Sequence, residues 1–214
     1  MSGGDAGLSA QSDNTSRIDL VNSGLIEGAR DGIRLIDLTA QINNAAEGII
    51  QGISDNAIET QGRLRLVNFG QVLAGGNGDG IVLGAGSALS HITNWGTIAS
   101  VSGSAIDASA VLAGGPVLFN NLGTVIGSYT GAETIDSLTN RGTRDSVFTG
   151  LDDDQVRNLG LITGYVFLGG GIFGHRGGRG PLYRRQRHGV WRCQRRRSGR
   201  LAIATDQQAC GHGG

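Results

Sequence analysis

The sequence predicts an all-β solenoid, a single-stranded, right-handed parallel β-helix ending in a poorly ordered Arg-rich tail. Three observations lead there. The phrase Asn-x-Gly followed by small or β-branched residues recurs at Asn22-Ser23-Gly24, Asn68-Phe69-Gly70, Asn94-Trp95-Gly96, Asn121-Leu122-Gly123, Asn140-Arg141-Gly142 and Asn158-Leu159-Gly160, with a looser copy from Asn44 to Ile49. Successive Asn positions are about 18 to 27 residues apart, the range in which a repeated supersecondary unit builds a rod. An out-of-phase second phrase, a small or acidic residue before an aliphatic one, follows in most units: Asp31-Gly32-Ile33, Asn56-Ala57-Ile58, Asp79-Gly80-Ile81, Ser104-Ala105-Ile106 and Glu133-Thr134-Ile135. Around these phrases the alternation has period two, as in Gly32-Ile33-Arg34-Leu35-Ile36, which suits half-buried strands.

Each unit therefore offers two short strands and reads as one coil. A coil must turn sharply between strands, and Gly, Asn and Asp visit left-handed backbone conformations at least cost, so Asn-x-Gly supplies a corner. Asn at one corner of every coil can also bond through its side-chain amide to the Asn above and below, as in stacked identical strands. Composition agrees: Gly is 39 of 214 residues, aromatics are 5% and Pro is 2. About seven coils spaced ~4.8 Å apart give a rod roughly 30 to 35 Å long.

In chain order, residues 1–16 are rich in Gly, Ser, Asp and Asn, lack the charged-then-apolar run of a secretory signal, and are the expected cap of the first coil. Asn14-Thr15-Ser16 fits the N-glycosylation pattern, which is common by chance. Residues 17–171 carry the repeats. No apolar run approaches the ~18 residues of a membrane-spanning helix. His91 is the single histidine of this part and is expected at the surface, just before a strand.

From Thr143 the rhythm tightens, through Asp145-Ser146-Val147-Phe148-Thr149-Gly150-Leu151-Asp152-Asp153-Asp154 to Gly169-Gly170-Gly171. This Gly- and Asp-rich string resembles the β-helical repeats of bacterial surface and secreted proteins, namely autotransporter passenger domains and RTX, or haemolysin-type, calcium-binding proteins. The resemblance covers roughly residues 18–171 as a pattern. It implies an extracellular or cell-surface protein, a structural or adhesin-like role, a partner on a cell surface or in the extracellular matrix, and calcium as the cofactor. The RTX unit is Gly-Gly-x-Gly-x-Asp-x-hydrophobic-x, in which carboxylates and turn carbonyls supply the oxygen ligands calcium prefers. Gly75-Gly76-Asn77-Gly78-Asp79-Gly80-Ile81 departs from it, because Asp79 arrives one position early and faces the wrong side of an alternating segment. Asp152, Asp153 and Asp154 keep the acidic cluster without the glycines, and read either as calcium ligands or as a solvated acidic turn.

Residues 172–214 change composition abruptly, holding ten of the 18 basic residues, a single acid, Asp206, and both cysteines, Cys193 and Cys210. Two readings compete. Arg residues interleaved with Tyr183 and Trp191 suit phosphate neutralisation and base stacking, hence binding of nucleic acid or another anionic surface. Alternatively, Trp191 to Gly199, back-translated and read one base later, permits Gly-Gly-Ala-Asn-Gly-Asp-Asp-Leu, so the tail is an out-of-frame reading of further calcium repeats. The cysteines with His188 and His212 form only an irregular metal pattern.

Parallel β-helices include pectin-cleaving enzymes, whose chemistry needs paired carboxylates and a basic partner on one face. Gly211-His212-Gly213 and Asp152-Asp153 are the nearest approaches, and the histidine motif has no coil after it. No nucleophile set or phosphate loop assembles. The expectation is a non-catalytic rod.

Overall fold

The computed structural model describes residues 5–13, 15–112, 114–132, 134, 136–150 and 154–168 in full, and residues 189–195 and 201–203 as strands. The described residues form strands and turns without a helix, wound as a β-solenoid. Each coil contributes one strand to each of three sheets, which hold eight, nine and seven strands. The first coil comprises Ala6–Gln11, Arg17–Asn22 and Leu25–Gly28, and pairs in parallel with Asp31–Ile36, Thr39–Asn44 and Ile49–Gly52 of the second. There are thus three strands per coil where the sequence suggested two. The phrase around each Asn is not one strand: Asn ends the strand of the second sheet, and three residues later that of the third begins, as from Asn94 to Thr97, except after Asn44, where the third-sheet strand starts at Ile49.

The core is a set of stacked columns of inward side chains. On the first sheet Ile33, Ile58, Ile81, Ile106, Tyr129, Val147 and Val166 lie in register. On the second, Ile42, Leu66, Ile92, Phe119, Leu138 and Val156 do so. The third column runs Ile26, Ile50, Val72, Ile98, Val125, Arg144 and Ile162. Burying each such aliphatic side chain contributes about 1.5 to 3 kcal/mol, so a rod one coil wide is stabilised by repetition rather than by a broad interior.

The second phrase holds its phase for four coils and then moves. Tyr129 pairs with Ile106 and Val147, so Gly127-Ser128-Tyr129 takes the place expected for Glu133-Thr134-Ile135. Thr134 is buried in the following turn, while Glu133 and Ile135 lie outside the described residues.

Residues 1–16 do not simply cap the rod. Ala6–Gln11 alternates between half-buried and exposed side chains and is itself a strand of the first sheet, paired with Asp31–Ile36. Its Leu8, with Ile18, Leu20 and Ile26 of the same coil, is only partly buried, as befits the last layer of a stack. At the opposite end Gly189–Arg195 adds antiparallel to Gln155–Asn158, extending the edge of the second sheet, and Leu201–Ile203 pairs antiparallel with it. An added strand satisfies an otherwise open row of backbone donors and acceptors.

The Asn corners form one continuous ladder. The Nδ2 of Asn22 donates to Oδ1 of Asn44 at 2.9 Å, Asn44 to Asn68 at 2.8 Å, Asn68 to Asn94 at 2.8 Å, Asn94 to Asn121 at 2.9 Å, Asn121 to Asn140 at 2.8 Å and Asn140 to Asn158 at 2.8 Å. Each of these amides also donates to a glycine carbonyl of its own corner and to a strand carbonyl of the next coil, as Asn94 does to Gly96 at 3.2 Å and Thr124 at 3.1 Å. The glycine has a different reason from the expected one. None of the corner Asn or Gly residues has positive φ. Instead the corners stack so closely that a Cβ on Gly96 would lie 2.0 Å from the Gly70 carbonyl oxygen, and one on Gly123 2.1 Å from that of Gly96. The missing side chain makes room for the neighbouring coil.

Candidate functional site

Where the coils shorten, the core changes chemistry. The Asn-to-Asn step falls from 27 residues between Asn94 and Asn121 to 19 and then 18. In these coils Tyr129 stands in the isoleucine column of the first sheet and Arg144 in the aliphatic column of the third. Asp136 and Asp154 immediately precede Ser137 and Gln155, which pair across the second sheet, and both carboxyl groups are buried. Four polar side chains from three sheets therefore converge in the interior.

Their hydrogen bonds organise the two acids unequally. Asp154 Oδ1 accepts the backbone N–H of Asp136 at 2.9 Å, linking one coil to the next. Asp136 Oδ2 accepts the Tyr129 hydroxyl at 2.9 Å, and its Oδ1 accepts Thr134 Oγ1 at 3.4 Å. Burial pushes the Asp136 carboxyl up to about 7, with the nearby Asp154 adding to the rise, while the hydroxyl bond from Tyr129 opposes it. Burial and the adjacent Asp136 raise the Tyr129 phenol well above its ordinary range. Tyr129 is therefore a proton donor in the hydrogen bond and not a phenolate.

Arg144 has 1% exposure yet, among the described residues, no carboxylate within ion-pair range. Its guanidinium carbon lies 5.3 Å from the Phe119 ring centroid and 5.9 Å from that of Tyr129, two rings stacked at 6.1 Å. Nη2 reaches the Ser146 carbonyl at 3.5 Å, and Nε has no hydrogen-bond partner among the described residues. Burial lowers this guanidinium to about 10, so it remains charged at neutral pH. Cation–π contact with two rings offsets part of its desolvation.

The expected metal ligands divide. Asp152 and Asp153 lie outside the described residues. Asp154 is not part of a solvated turn: at 1% exposure it points into the core, because it falls on the inward phase just before the Gln155–Asn158 strand. Among the described residues no group of three or more His, Cys, Asp or Glu side chains gathers as a metal site, and no helix is long and apolar enough to cross a membrane. Asp79, from the Gly75 to Ile81 stretch, receives the N–H of Ser104 on Oδ1, while its own N–H donates to Asn56 Oδ1 at 2.8 Å. It belongs to a second inter-coil ladder that starts with the Asn56 N–H on Asp31 Oδ1. Burial raises the carboxyl pKa of both Asp31 and Asp79.

His91 is half-buried on the outward side of the second sheet, with Nε2 3.3 Å from Asn120 Nδ2 and, among the described residues, no acid partner. Cys193 lies in the Gly189–Arg195 strand, whereas Cys210, His188 and His212 are outside the described residues. The other prominent surface feature is aromatic. Phe69 and Trp95, the middle residues of successive corners, stack with centroids 6.2 Å apart and planes 14° from parallel. They are 47% and 53% exposed.

The buried cluster was missed by sequence reasoning, although one signal for it existed. Asn-Trp-Gly-Thr-Ile at Asn94 and Asn-Leu-Gly-Thr-Val at Asn121 become Asn-Arg-Gly-Thr-Arg at Asn140, placing Arg144 where every earlier coil has an aliphatic residue. No family model, curated protein or solved structure matches the chain.

Proposed function

We propose that the chain is a non-catalytic rod of the secreted or cell-surface kind, acting as a spacer and adhesive surface like the RTX and autotransporter repeats its sequence resembles. The observation that carries this reading is the unbroken Asn ladder from Asn22 to Asn158. Such a ladder, with glycines stacked beside it, commits the interior to rigidity and leaves the outward rows of three sheets free to vary. The convergent acids support the same reading, since both Asp136 oxygens and Asp154 Oδ1 accept from Tyr129, Thr134 and the backbone inside the core rather than lining an open cleft. Calcium at Asp152 and Asp153 belongs to the proposal as a stabilising ligand of the acidic turn, and Asp154, turned into the core, takes no part in it. Its partner is expected on a cell surface or in the extracellular matrix.

The test is protease shaving of intact cells that carry the gene, followed by detection of the chain in surface, medium and cell-interior fractions. Recovery at the surface or in the medium supports the reading, and confinement to the interior overturns it. Adding calcium is expected to raise Tm by linkage to the folded state, and an unchanged Tm removes the calcium component. Salt-sensitive DNA binding that disappears on deletion of residues 172–214 would transfer the function to the tail.

A further inference from the structure

We propose that the corner ridge centred on Trp95 and Phe69 is a binding site for a neutral, β-linked glycan chain. This rests on the surface-rod reading and names the partner's chemistry. The fold itself does not ask for aromatic rings there. The middle position of the corner is Ser23 in the first coil and Arg141 in a later one, and the Asn ladder runs through both corners unchanged. In a chain with only 5% aromatic residues, two are spent side by side on positions where about half of each side chain stays in water.

Their geometry leaves ring surface available. Coils rise about 4.8 Å, so centroids 6.2 Å apart are displaced by about 4 Å across the rod. With about half of each residue in water, the offset pair keeps ring surface open to solvent. The C–H faces of equatorially linked sugars pack on such surfaces, because the ring's negative face attracts their weakly positive hydrogens.

The flanks supply the complementary half of sugar recognition. On one side of the ridge Val67 beside Phe69, Thr93 beside Trp95 and Asn120 of the next coil follow one another as paired outward residues of the second sheet. On the other, Gln71 and Thr97 are paired outward residues of the third. All five are at least partly exposed, and among the described residues the side chains of Thr93, Gln71 and Thr97 take no hydrogen-bond partner. Hydroxyl and amide groups on both sides of exposed rings match a ligand that is apolar on its ring faces and hydroxylated at its edges. The absence of any charged residue among these seven side chains argues against a polyanion, and the hydroxyl and amide groups in both rows argue against a lipid surface.

The experiment is isothermal titration of the full chain with cellohexaose, chitohexaose and α-linked maltohexaose, repeated for Trp95→Ala, Trp95→Leu and the distant corner variant Leu159→Ala. The expected result is saturable binding of a β-linked hexasaccharide, weakened tenfold or more by both Trp95 variants and unchanged by Leu159→Ala. Trp95→Leu keeps an apolar corner without the ring, so it remains informative if Trp95→Ala folds poorly. Absence of binding to either β-linked probe at millimolar concentration overturns the proposal, as does wild-type affinity in a folded Trp95→Leu variant. Glycan binding by a chain confined to the cell interior would remove the surface-rod reading alone, and a surface chain that binds neither β-linked probe would remove this inference alone.

Discussion

Replacing Asp136 by Asn changes how stability depends on pH, in a direction fixed by the burial of its carboxyl group. The folded state holds that carboxyl at about 7 against an ordinary value of 3.8. Between those values the folded chain binds a proton that the unfolded chain has already released, so rising pH favours unfolding. Stability contributed by the protonated group is complete below pH 3.8 and is lost as pH rises to about 7. At ~1.4 kcal/mol per pKa unit, this interval corresponds to about 4 kcal/mol, an upper figure because the protein relaxes around a buried charge. Asn has the same shape, its carbonyl can accept the Tyr129 hydroxyl, and it does not ionise. Urea unfolding followed by circular dichroism at pH 5 and pH 8 measures the difference. Only the two units from pH 5 to about 7 fall within that interval, so the variant is expected to gain on the wild type by roughly 1 to 2.5 kcal/mol between those pH values. Asp31 and Asp79, also raised by burial, act in the same direction but are common to both proteins and cancel. An Asp136→Asn difference that is the same at pH 5 and pH 8 would show that burial does not hold a proton on Asp136.

Other perturbations probe the interior and the ladder separately. Arg144→Val restores the aliphatic column of Val125 and Ile162 and removes a buried cation; it is expected to leave stability unchanged or raise it by about 1 to 3 kcal/mol in urea unfolding. Arg144→Ala, which leaves space beside Phe119 and Tyr129, is expected to destabilise relative to Arg144→Val by about 2 kcal/mol. Asn94→Ala strands the buried Asn68 amide donor and the acceptors on Asn121, Gly96 and Thr124, with an expected loss of about 3 kcal/mol in the same assay.

Much of the rod was legible because its signal is local and repeated. Asn-x-Gly needs only three residues to declare itself, and every copy lands in the ladder, including the looser one at Asn44. The isoleucine phrase was equally readable through Ile106 and failed at Tyr129, where an aromatic residue takes an aliphatic column and the following turn shortens. The third sheet was hidden for a geometric reason: a two-residue corner leaves no gap in the apolar pattern between Thr93 and Ile98. The buried cluster was less legible still. Arg144 reads as a surface residue by type, and its burial depends on Phe119 and Tyr129 of the preceding coil, which sequence spacing alone does not bring to it. Asp154 was singled out for its charge, yet its role follows from strand phase, which turns its side chain inward. Phe69 and Trp95 were visible only as corner residues, and their stacking emerges once the coils are in register.

Close stacking of the Asn-x-Gly corners, not left-handed backbone, requires glycine and sets the coil. Gly24 and Gly96 occupy the same corner position, but a Cβ on Gly24 meets nothing within 4 Å while one on Gly96 would lie 2.0 Å from the Gly70 carbonyl oxygen. Comparing Gly24→Ala with Gly96→Ala by urea unfolding therefore isolates stacking from local conformation. Stacking predicts a change within about 0.5 kcal/mol for Gly24→Ala and a loss of at least ~3 kcal/mol, or failure to fold, for Gly96→Ala. Equal losses at both positions would contradict it, and would return the glycine requirement to the conformation of the corner itself.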